Sequence, residues 1–435
     1  GDLRMNRKTG IAIALILVSI TASSILGFVY LSRSRAHQEE AQWRFWAEIA
    51  WRYYAPGIGV DPGTLLHRAN IYWHRFTDWD LGSHIQSVID ADKIGLTKTG
   101  VGFSERINRI LEFLERRELS PNGIPYWCYS SSDGQPVRDS GQTPPADTGR
   151  LLVALAALRA YKPGLAKRIE TAVNRQNFQK VLALSGFEGG FYGYFAAQGF
   201  KAFGIDHNGL VAASLKEMST LSKGKFVDMF GEQIPLAWIT SEPVLHALLE
   251  VDSPEQLFQD YALRIYRAQE KRFTAQGKYT AFSEGAYFAH GNYIFEWIIR
   301  GDTGAVWTVT KIDAQGVFTL DIAPVVYTKT ALGFHAVFSS EYTKKLVEWL
   351  LLKPELVTVN GFAEGVTEAN ELVSLPTDKT NSMILSAANY AIQKIHKNSG
   401  NLQGKMALGD LGFFRSVAVT DQVGVHVSTH AQRPD

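Results

Sequence analysis

The chain has 435 residues, of which 46% are hydrophobic and 20% charged, a balance typical of a globular protein with a large core. A net charge of +1 provides no basic field for nucleic acid, and a single cysteine excludes an intrachain disulfide and a thiolate metal cluster. The histidines lack metal-ligand spacing, and no Walker A loop or dinucleotide fingerprint occurs, so the sequence predicts neither a metal site nor a cofactor.

The N-terminal region contains an uncharged apolar stretch, residues 10–31, with the sequence GIAIALILVSITASSILGFVYL. It is long enough to span a bilayer and has basic residues on both sides. We therefore predict a membrane anchor over residues 1–36 with one transmembrane helix, and a main domain outside the cytoplasmic membrane, in the periplasm. A cleaved signal peptide is the competing interpretation.

Six stretches further along open with Asp, Ser or Thr and continue as almost wholly apolar helices, which is typical of helices buried on all sides. They begin near Asp78, Asp147, Asp206, Thr240, Thr328 and Thr380. More polar, amphipathic helices lie between them, among them SERINRILEFLERREL and EYTKKLVEWLLL. This alternation predicts an inner and an outer ring, an all-α (α/α) toroid of six hairpins over residues 37–398.

Two segments depart from the helical pattern. Residues 305–324, AVWTVTKIDAQGVFTLDIAP, alternate apolar and polar side chains around a turn, which predicts a small β-hairpin inserted between the fourth and fifth inner helices. Residues 399–435 show no helical period, and we predict a partly irregular C-terminal extension there.

Three glutamates stand next to glycines and are the candidate catalytic residues: Glu188, Glu284 and Glu364. Glycine allows a sharp turn that presents a carboxyl group into a cleft, and aromatic neighbours of the first two would raise its pKa by desolvation. Cleavage of a glycoside needs two such acids, one to protonate the leaving oxygen and one to act as base or nucleophile. The alternative is that each Glu-Gly pair marks an exposed turn.

Inner helices of a toroid begin at one rim, so residues at those starts and in the adjoining loops would surround a ligand. The candidate substrate-binding residues are Asp80, Asp147, Trp79, Tyr126, Trp127, Tyr192, Tyr287 and Trp297. For the two aspartates the alternative is helix capping, and for the aromatic residues it is packing against the rim.

The segments TDWDLGSHIQSVIDADKIGL and GIPYWCYSSSDGQPVRDSGQTPPADTGRLLVALAALR resemble a bacterial and archaeal envelope family classed as a domain of unknown function. They are also distantly similar to the glycoamylase-like toroids of endo-β-1,2-glucanases and cyclic β-1,2-glucan synthases. Asp80 with Gly82, and Asp147 with Gly149, match the two Asp-x-Gly positions of that pattern. The Asp that usually follows the last tyrosine of the aromatic loop is missing here, and the resemblance does not identify a catalytic pair.

Together, these observations predict a glycoside hydrolase-like enzyme, with carboxylate acid/base chemistry, that acts on an envelope or secreted polysaccharide. The expected partners are a polysaccharide or oligosaccharide, the membrane through residues 10–31, and polysaccharide synthase components. A non-catalytic glycan-binding or scaffolding subunit of a synthesis or export complex remains the alternative. A toroidal terpenoid cyclase is less well supported because the Asp-rich magnesium motif is absent from the sequence.

Overall fold

The structure is a computed structural model that describes residues 34–251, 254–287, 292–313 and 315–418. The chain divides into two compact units, residues 42–391 and residues 1–41 together with 392–435. In the latter unit the described parts are helical, and Nε2 of His396 lies 3.0 Å from Oε2 of Glu40. The predicted anchor at residues 10–31 lies outside the described residues. Among the helices that are described, none is both long and apolar enough to cross a membrane.

Most of the described chain is α-helical, and thirteen α-helices follow one another from residue 34 to Ala418. They are α1 (34–52), α2 (Asp78–Ile94), α3 (Phe103–Arg116), α4 (Pro145–Tyr161), α5 (Ala166–Asn174), α6 (Phe178–Ser185), α7 (Gly190–Ala202), α8 (Leu210–Leu221), α9 (Ser241–Glu250), α10 (Gln256–Gln276), α11 (Thr328–Phe338), α12 (Glu341–Leu351) and α13 (Asp378–Ala418). Short 3₁₀ helices cover Leu96–Lys98, Arg138–Ser140, Pro163–Leu165 and Pro354–Leu356.

The buried helices of the unit 42–391 follow one another around a ring. In this inner set α2 packs on α4, α4 on α7, α7 on α9 and α9 on α11. Strand β11 (Gly361–Thr367) packs on α11 and is hydrogen bonded to Asn381 of α13. The ring closes where the Ser382 hydroxyl of α13 donates to the carbonyl of Ser83 in α2. The amphipathic α3, α10 and α12 each bury one face, as the predicted alternation of inner and outer helices requires.

Glycines allow the inner helices to approach closely. A methyl group built on Gly149 of α4 would lie 2.5 Å from Cα of Ala196 in α7, and one on Gly199 would lie 2.3 Å from the Gly149 carbonyl oxygen. On the other side of α4, a methyl group on Gly82 would lie 2.8 Å from the Arg150 carbonyl oxygen. Each distance is shorter than a carbon–carbon van der Waals contact, so only glycine permits these interhelical spacings.

Five of the six predicted inner helices occupy the ring, and the prediction near Asp206 is wrong. The helix after Asp206 is α8, which buries only Val211, Ser214 and Met218. The third inner helix is instead α7, nearly all of which is buried. Its glycines concealed it, because glycine is a poor helix former while here it serves close packing against α4.

The all-α prediction is too narrow, because the described residues contain twelve short strands in addition to the helices. They are β1 (Arg75–Thr77), β2 (Cys128–Ser130), β3 (Phe226–Met229), β4 (Glu232–Pro235), β5 (Glu284–Tyr287), β6 (Asn292–Ile299), β7 (Val306–Asp313), β8 (Gly316–Leu320), β9 (Val325–Tyr327), β10 (Val357–Thr358), β11 and β12 (Leu372–Pro376).

These strands form four small antiparallel sheets: β1–β2, β3–β4, β5–β6–β7–β8, and β10–β11–β12 with β9 paired to β11. The predicted hairpin at residues 305–324 is present as β7 and β8, between α9 and α11, but it is half of a four-stranded sheet. Helix α13 continues to Ala418, so the described part of the C-terminal extension is helical, and its partly irregular character stays a prediction. Residues 419–435 lie outside the described residues, and the boundaries at 37 and 398 stay a prediction.

Candidate active site

An open cavity of about 730 Å³ lies where α2, α4, α7 and α13 begin, with residues of β5, β6, β7, β11 and β12 in its wall. The three glutamates and two aspartates predicted from the sequence all line it: Asp80, Asp147, Glu188, Glu284 and Glu364. Segments far apart in the chain are thus brought together at one rim. The placement supports the interpretation of this rim as a site, while the chemical role of each acid stays a prediction.

Aromatic side chains make up much of the remaining wall. Of the predicted substrate-binding residues, Trp79, Trp127, Tyr192 and Tyr287 line the cavity. Tyr72, Trp73, Tyr293 and Phe295 join them without having been predicted. The rings of Trp73 and Trp127 lie 6.3 Å apart, and both Tyr72 and Trp127 are exposed. Exposed rings of this kind can stack on the apolar faces of sugars.

Two predicted aromatic residues lie outside this cavity wall. Tyr126 packs against Tyr129, with ring centroids 6.4 Å apart, beside the core between α3 and α4. Trp297 lies farther along β6 than Phe295, and its indole N–H donates to Oγ1 of Thr310 at 2.8 Å. The ring of Trp238 covers it at 4.7 Å. Both therefore contribute to packing against the core.

Glu284 begins β5 and is enclosed by hydrogen-bond donors. The Tyr192 hydroxyl donates to Oε2, the Tyr293 hydroxyl donates to Oε1 at 2.9 Å, and Nζ of Lys379 lies 3.5 Å from Oε1. Burial raises the pKa of Glu284, and the neighbouring Glu242 raises it further, while Lys379 opposes this effect. The three donors fix the orientation of the carboxyl group within the cavity.

A buried ion-pair chain lies behind Glu284. Nζ of Lys329 donates to the Glu284 carbonyl oxygen at 2.7 Å and to the Glu242 carboxylate. Burial alone would raise the pKa of Glu242, but Lys329 lowers it well below its usual range. The chain continues through His246, whose Nδ1 lies 2.7 Å from Glu250, and ends at Arg150. Lys329 thereby links the position of β5 to a charged network within α9 and α4.

Glu364 lies on β11 and uses both oxygens within the protein. The hydroxyls of Thr377 and Thr380 donate to it at 2.7 and 2.9 Å. It is almost fully buried, and burial raises its pKa. A methyl group on Gly285 would lie 2.9 Å from its carboxyl oxygen, so the glycine beside Glu284 is needed to seat Glu364. Glu364 is thus a buried acid of fixed orientation in the cavity wall beside Glu284.

Asp147 and Glu188 differ from these two glutamates, because neither carboxyl group has a hydrogen-bond donor among the described residues. Burial raises the pKa of Asp147 well above its usual range, and Asp80 adds to this shift. Glu188 is exposed to solvent, yet the concave wall desolvates it enough to raise its pKa, and Glu284 raises it further. These two acids are free to meet a ligand.

Asp80 has a structural role that the sequence had predicted as an alternative. Its Oδ2 accepts from the backbone N–H of Thr77 at 2.8 Å, and the Thr77 hydroxyl accepts from the Asp80 N–H at 3.3 Å. The pair forms a capping box at the start of α2. Burial raises the pKa of Asp80 against the opposing charge of Lys379. Asp80 therefore caps a helix and lines the cavity at once.

The sequence did not single out Lys379, the cationic side chain in this wall. Its ammonium donates to the Tyr293 hydroxyl at 2.7 Å and lies 5.5 Å from the centre of the Trp79 ring. Lys379 follows Asp378 at the start of α13, in the segment TDKTNS that had been noted only as a helix start. Its position after a helix-capping segment at the same rim could have identified it.

Comparisons with known proteins agree with this fold. Residues 45–394 match the family described as "Protein of unknown function (DUF3131)". An endo-β-1,2-glucanase from Chitinophaga pinensis is 13% identical with a TM-score of 0.61, covering 82% of this chain and 94% of that one. A Talaromyces funiculosus endo-β-1,2-glucanase in complex with β-1,2-glucan is 11% identical with a TM-score of 0.59, covering 87% and 90%.

A glucoamylase-like protein from Bacteroides caccae is also 13% identical, with a TM-score of 0.61 over 82% of this chain and 95% of its own. No curated protein matches the chain. At these identities the structural likeness establishes a shared glucoamylase-like (α/α) toroid fold and nothing about the substrate.

Proposed function

The chain belongs to the DUF3131 family, and from this premise we propose that it is a glycoside hydrolase-like enzyme acting on an envelope or secreted polysaccharide. The observation that carries the proposal is one open cavity that joins six carboxyl groups, those of the five predicted acids and of Asp378, with a wall of aromatic rings. Glycoside cleavage requires a protonated acid and a second carboxylate on either side of a bound sugar. A toroid shared with endo-β-1,2-glucanases supports this class of reaction by analogy of fold.

Glu188 is our candidate for the general acid. Its carboxyl group is accessible from the cavity, has no competing donor among the described residues, and has a raised pKa. An acid with a raised pKa remains protonated closer to neutral pH and can donate its proton to a leaving oxygen. Asp147, equally free of donors and with a raised pKa, would hold sugar hydroxyls or assist in the same transfer.

Glu284 is the candidate for the second acid, acting as base or nucleophile. Tyr192, Tyr293 and Lys379 all direct hydrogen-bond donors toward its carboxyl group, and such donors stabilise the ionised form that this role requires. Glu364 is almost fully buried, and both of its oxygens accept from threonines, which suits a supporting group. Of the three predicted catalytic glutamates, the proposal thus assigns the reacting pair to Glu188 and Glu284.

The test is the release of reducing ends from polysaccharides by the full-length chain. We would assay β-1,2-glucan first, since solved structures of similar fold are named as enzymes of that polymer, and then other β-glucans and amino-sugar polymers. On a cleaved polymer, Glu188→Gln and Glu284→Gln should each lower kcat by about a hundredfold or more. The unfolding transition should stay unchanged for Glu188→Gln, and it is measured alongside turnover for Glu284→Gln because that variant also loses a buried contact with Lys379.

Glu217→Gln is the matched control. Glu217 belongs to the neighbouring helix α8 and lies close to Gly189, but it is not part of the cavity wall. It should retain normal turnover. Near-normal turnover of both cavity variants would contradict the assignment of the pair.

A non-catalytic glycan-binding or scaffolding subunit is the second candidate function. The observation that favours it is that Glu284 and Glu364 already accept hydrogen bonds from protein donors at both oxygens. A polysaccharide that binds with an affinity weakened by Trp127→Ala, while no polymer releases reducing ends, would support this function over the enzyme.

We also propose that residues 10–31 anchor the chain in the cytoplasmic membrane with the main domain in the periplasm, near polysaccharide synthase components. The support is the uncharged length of the segment and its basic flanks. Alkaline phosphatase fused after residue 40 should be active in a bacterial host, and an inactive fusion would contradict this placement.

A further inference from the structure

Three metal-ligating side chains from distant parts of the chain meet beside the cavity. His67 comes from the loop after α1, Asp80 from the first turn of α2, and Asp378 from the start of α13. One ligand atom of each lies within 4.8 Å of the other two. Nε2 of His67 is 3.8 Å from Oδ2 of Asp378, and all three residues are at most 2% exposed.

The polar atoms of this cluster lack the partners that buried groups normally have. Neither nitrogen of His67 and neither carboxyl oxygen of Asp378 has a hydrogen-bond partner among the described residues. Burying a carboxyl group without a hydrogen-bond partner destabilises a fold, so such groups normally have a partner. Asp378 also lies next to a second buried carboxyl group, Asp80, so two like charges add to the cost.

Neighbouring cations only partly offset these charges. Lys379 interacts with Asp378 and Asp80, but its ammonium is already bonded to Tyr293 and faces Glu284. Both ring nitrogens of His67 are buried and have no hydrogen-bond partner among the described residues, so either nitrogen could bind an ion.

We propose that His67, Asp80 and Asp378 form a binding site for a divalent transition-metal ion, with Zn²⁺ as the reference ion. One imidazole nitrogen and two carboxylate oxygens are a common protein ligand set for such ions, whereas Mg²⁺ and Ca²⁺ prefer oxygen ligands alone. This site goes beyond the proposed hydrolase function and does not depend on it.

The His67 and Asp378 ligand atoms need only a small adjustment, whereas the Asp80 ligand atom lies within 4.8 Å of both and would have to approach further. Two zinc–ligand bonds of about 2.0–2.1 Å at a tetrahedral angle would place their ligand atoms about 3.4 Å apart. The observed separation of 3.8 Å between His67 and Asp378 would close by a few tenths of an ångström, within reach of side-chain rotation. Asp80 can use the oxygen that does not cap α2, since Oδ2 is the one that accepts from Thr77.

The site would communicate with the ligand cavity. Asp80 and Asp378 both line it, whereas His67 lies behind them. Three protein ligands leave a coordination position open, and on this side it faces the cavity. A sugar hydroxyl or a water molecule could occupy it, next to Lys379 and Trp79.

The experiment uses the chelator-treated full-length chain, titrated with Zn²⁺ and, separately, Mn²⁺ by calorimetry and metal analysis. We expect one ion per chain and a higher unfolding temperature with the ion bound. X-ray absorption of the zinc-loaded chain should show nitrogen and oxygen ligands with imidazole scattering from a single histidine. This spectrum needs no variant and therefore does not depend on whether a variant folds.

His67→Gln and Asp378→Asn should each weaken zinc binding by at least about a hundredfold, because the loss of a ligand should exceed the roughly 10–100-fold loss typical of a group that only orients one. His84→Gln is the matched control: His84 is equally buried, lacks hydrogen-bond partners in the described structure, and lies 5.1 Å from the His67 ring, but is not in the ligand cluster. It should bind zinc as the parent chain does. No stoichiometric binding, or equal binding by all three variants, would overturn the proposal.

Discussion

Two arcs of the ring build the same cavity in different ways. From α2 through α4 to α7, inner helices pack directly on one another through glycines, and the cavity acids stand at or just before helix starts. From α9 to α13, strands are inserted between the helices: β5–β9 lie between α10 and α11, and β10–β12 lie between α12 and α13. The acids Glu284 and Glu364 lie on β5 and β11. The first arc places its acids by local helix geometry, and the second places them by long-range contacts.

The hydrogen bonding of the acids follows this division. In the helical arc, Asp147 and Glu188 have no donor among the described residues, whereas in the stranded arc each glutamate accepts from two or more side chains. Free acids can exchange protons with a ligand, and enclosed acids are fixed in orientation. A cavity that contains both kinds can combine a mobile proton donor with a preorganised partner.

The largest effect should come from Lys329, which holds the stranded arc together. Lys329→Met removes the cation that contacts both Glu242 and the Glu284 carbonyl oxygen. Breaking a buried ion pair by removing one partner costs about 3–5 kcal/mol, because the other charge stays buried and uncompensated. We expect the free energy of unfolding to fall by that amount in denaturant titrations.

Lys345→Met is the control for this change, since Lys345 is an exposed helical lysine 4.0 Å from Glu341. Exposed pairs of this kind contribute at most about 0.5 kcal/mol. Equal losses for the two lysine variants would show that the buried chain does not stabilise the stranded arc.

The same division separates what the sequence could predict from what it could not. Asp80 and Asp147 were identified because a helix start is a local pattern, visible in a dozen residues. The glycine-flanked glutamates were found as well, although the strands carrying Glu284 and Glu364 were not. Lys379 and Asp378 also stand at a helix start, whereas His67 gave no local pattern. The relation of all three to the acids exists only after α13 has closed the ring on α2.

The misassigned third inner helix has a related cause. Ala and Leu near residue 212 suggested a buried helix, while the segment from Gly190 resembled a loop. Burial there depends on how closely α7 approaches α4, and Gly149 and Gly199 make that approach possible. Interhelical distance is a tertiary property that a single-sequence pattern does not contain.

A second prediction concerns Asp90, buried between α2 and α13, where it accepts from Gln86, Ser386 and Asn389. Burial raises its pKa to about 6 in the fold. An acid whose pKa is higher in the folded than in the unfolded state stabilises the fold while it is protonated. As the pH rises from about 4 to about 6, the free energy of unfolding of the parent chain should therefore fall by roughly 2–3 kcal/mol. Asp90→Asn should remove this slope, as measured by unfolding at a series of pH values.

The Asn variant has a way to keep its hydrogen bonds, because Oε1 of Gln86 has no partner in the described structure and can accept after the Gln86 amide flips. Asp260→Asn, at an exposed acid on α10 that accepts from Gln256, should leave the pH profile unchanged. A profile for Asp90→Asn that matches the parent would show that Asp90 is not the group that titrates.

A third prediction tests the close packing of the helical arc. Gly149→Ala places a methyl group within 2.5 Å of α7 and should force α4 and α7 apart. Overpacking of this kind costs about 1–3 kcal/mol. Gly164→Ala, where nothing lies within 4 Å of the added methyl group, should be neutral or slightly stabilising. Stability unchanged in both variants would mean that this interface tolerates a wider helix spacing.

The smallest effect should belong to Asp206, which has a helix-start sequence like that of Asp147 but lies outside the cavity wall. Its Oδ1 accepts from two backbone N–H groups: that of His207 at 2.7 Å, in the turn before α8, and that of Val211 at 3.1 Å, in the first turn of α8. Asp206→Ala should therefore cost about 1 kcal/mol of unfolding free energy, the usual value of a lost cap, and leave turnover unchanged.

Asp206→Asn keeps the accepting oxygen and should recover most of that stability, because the cap depends on the acceptor more than on the charge. Asp147→Asn should show the opposite pattern: the free energy of unfolding should be maintained, and sugar binding or turnover should be reduced. The reason is that the Asp147 carboxyl group caps no helix and faces the cavity. If Asp206→Asn impaired turnover as strongly as Asp147→Asn, position at the rim would not distinguish the two aspartates, and the division between capping and ligand-facing acids would be wrong.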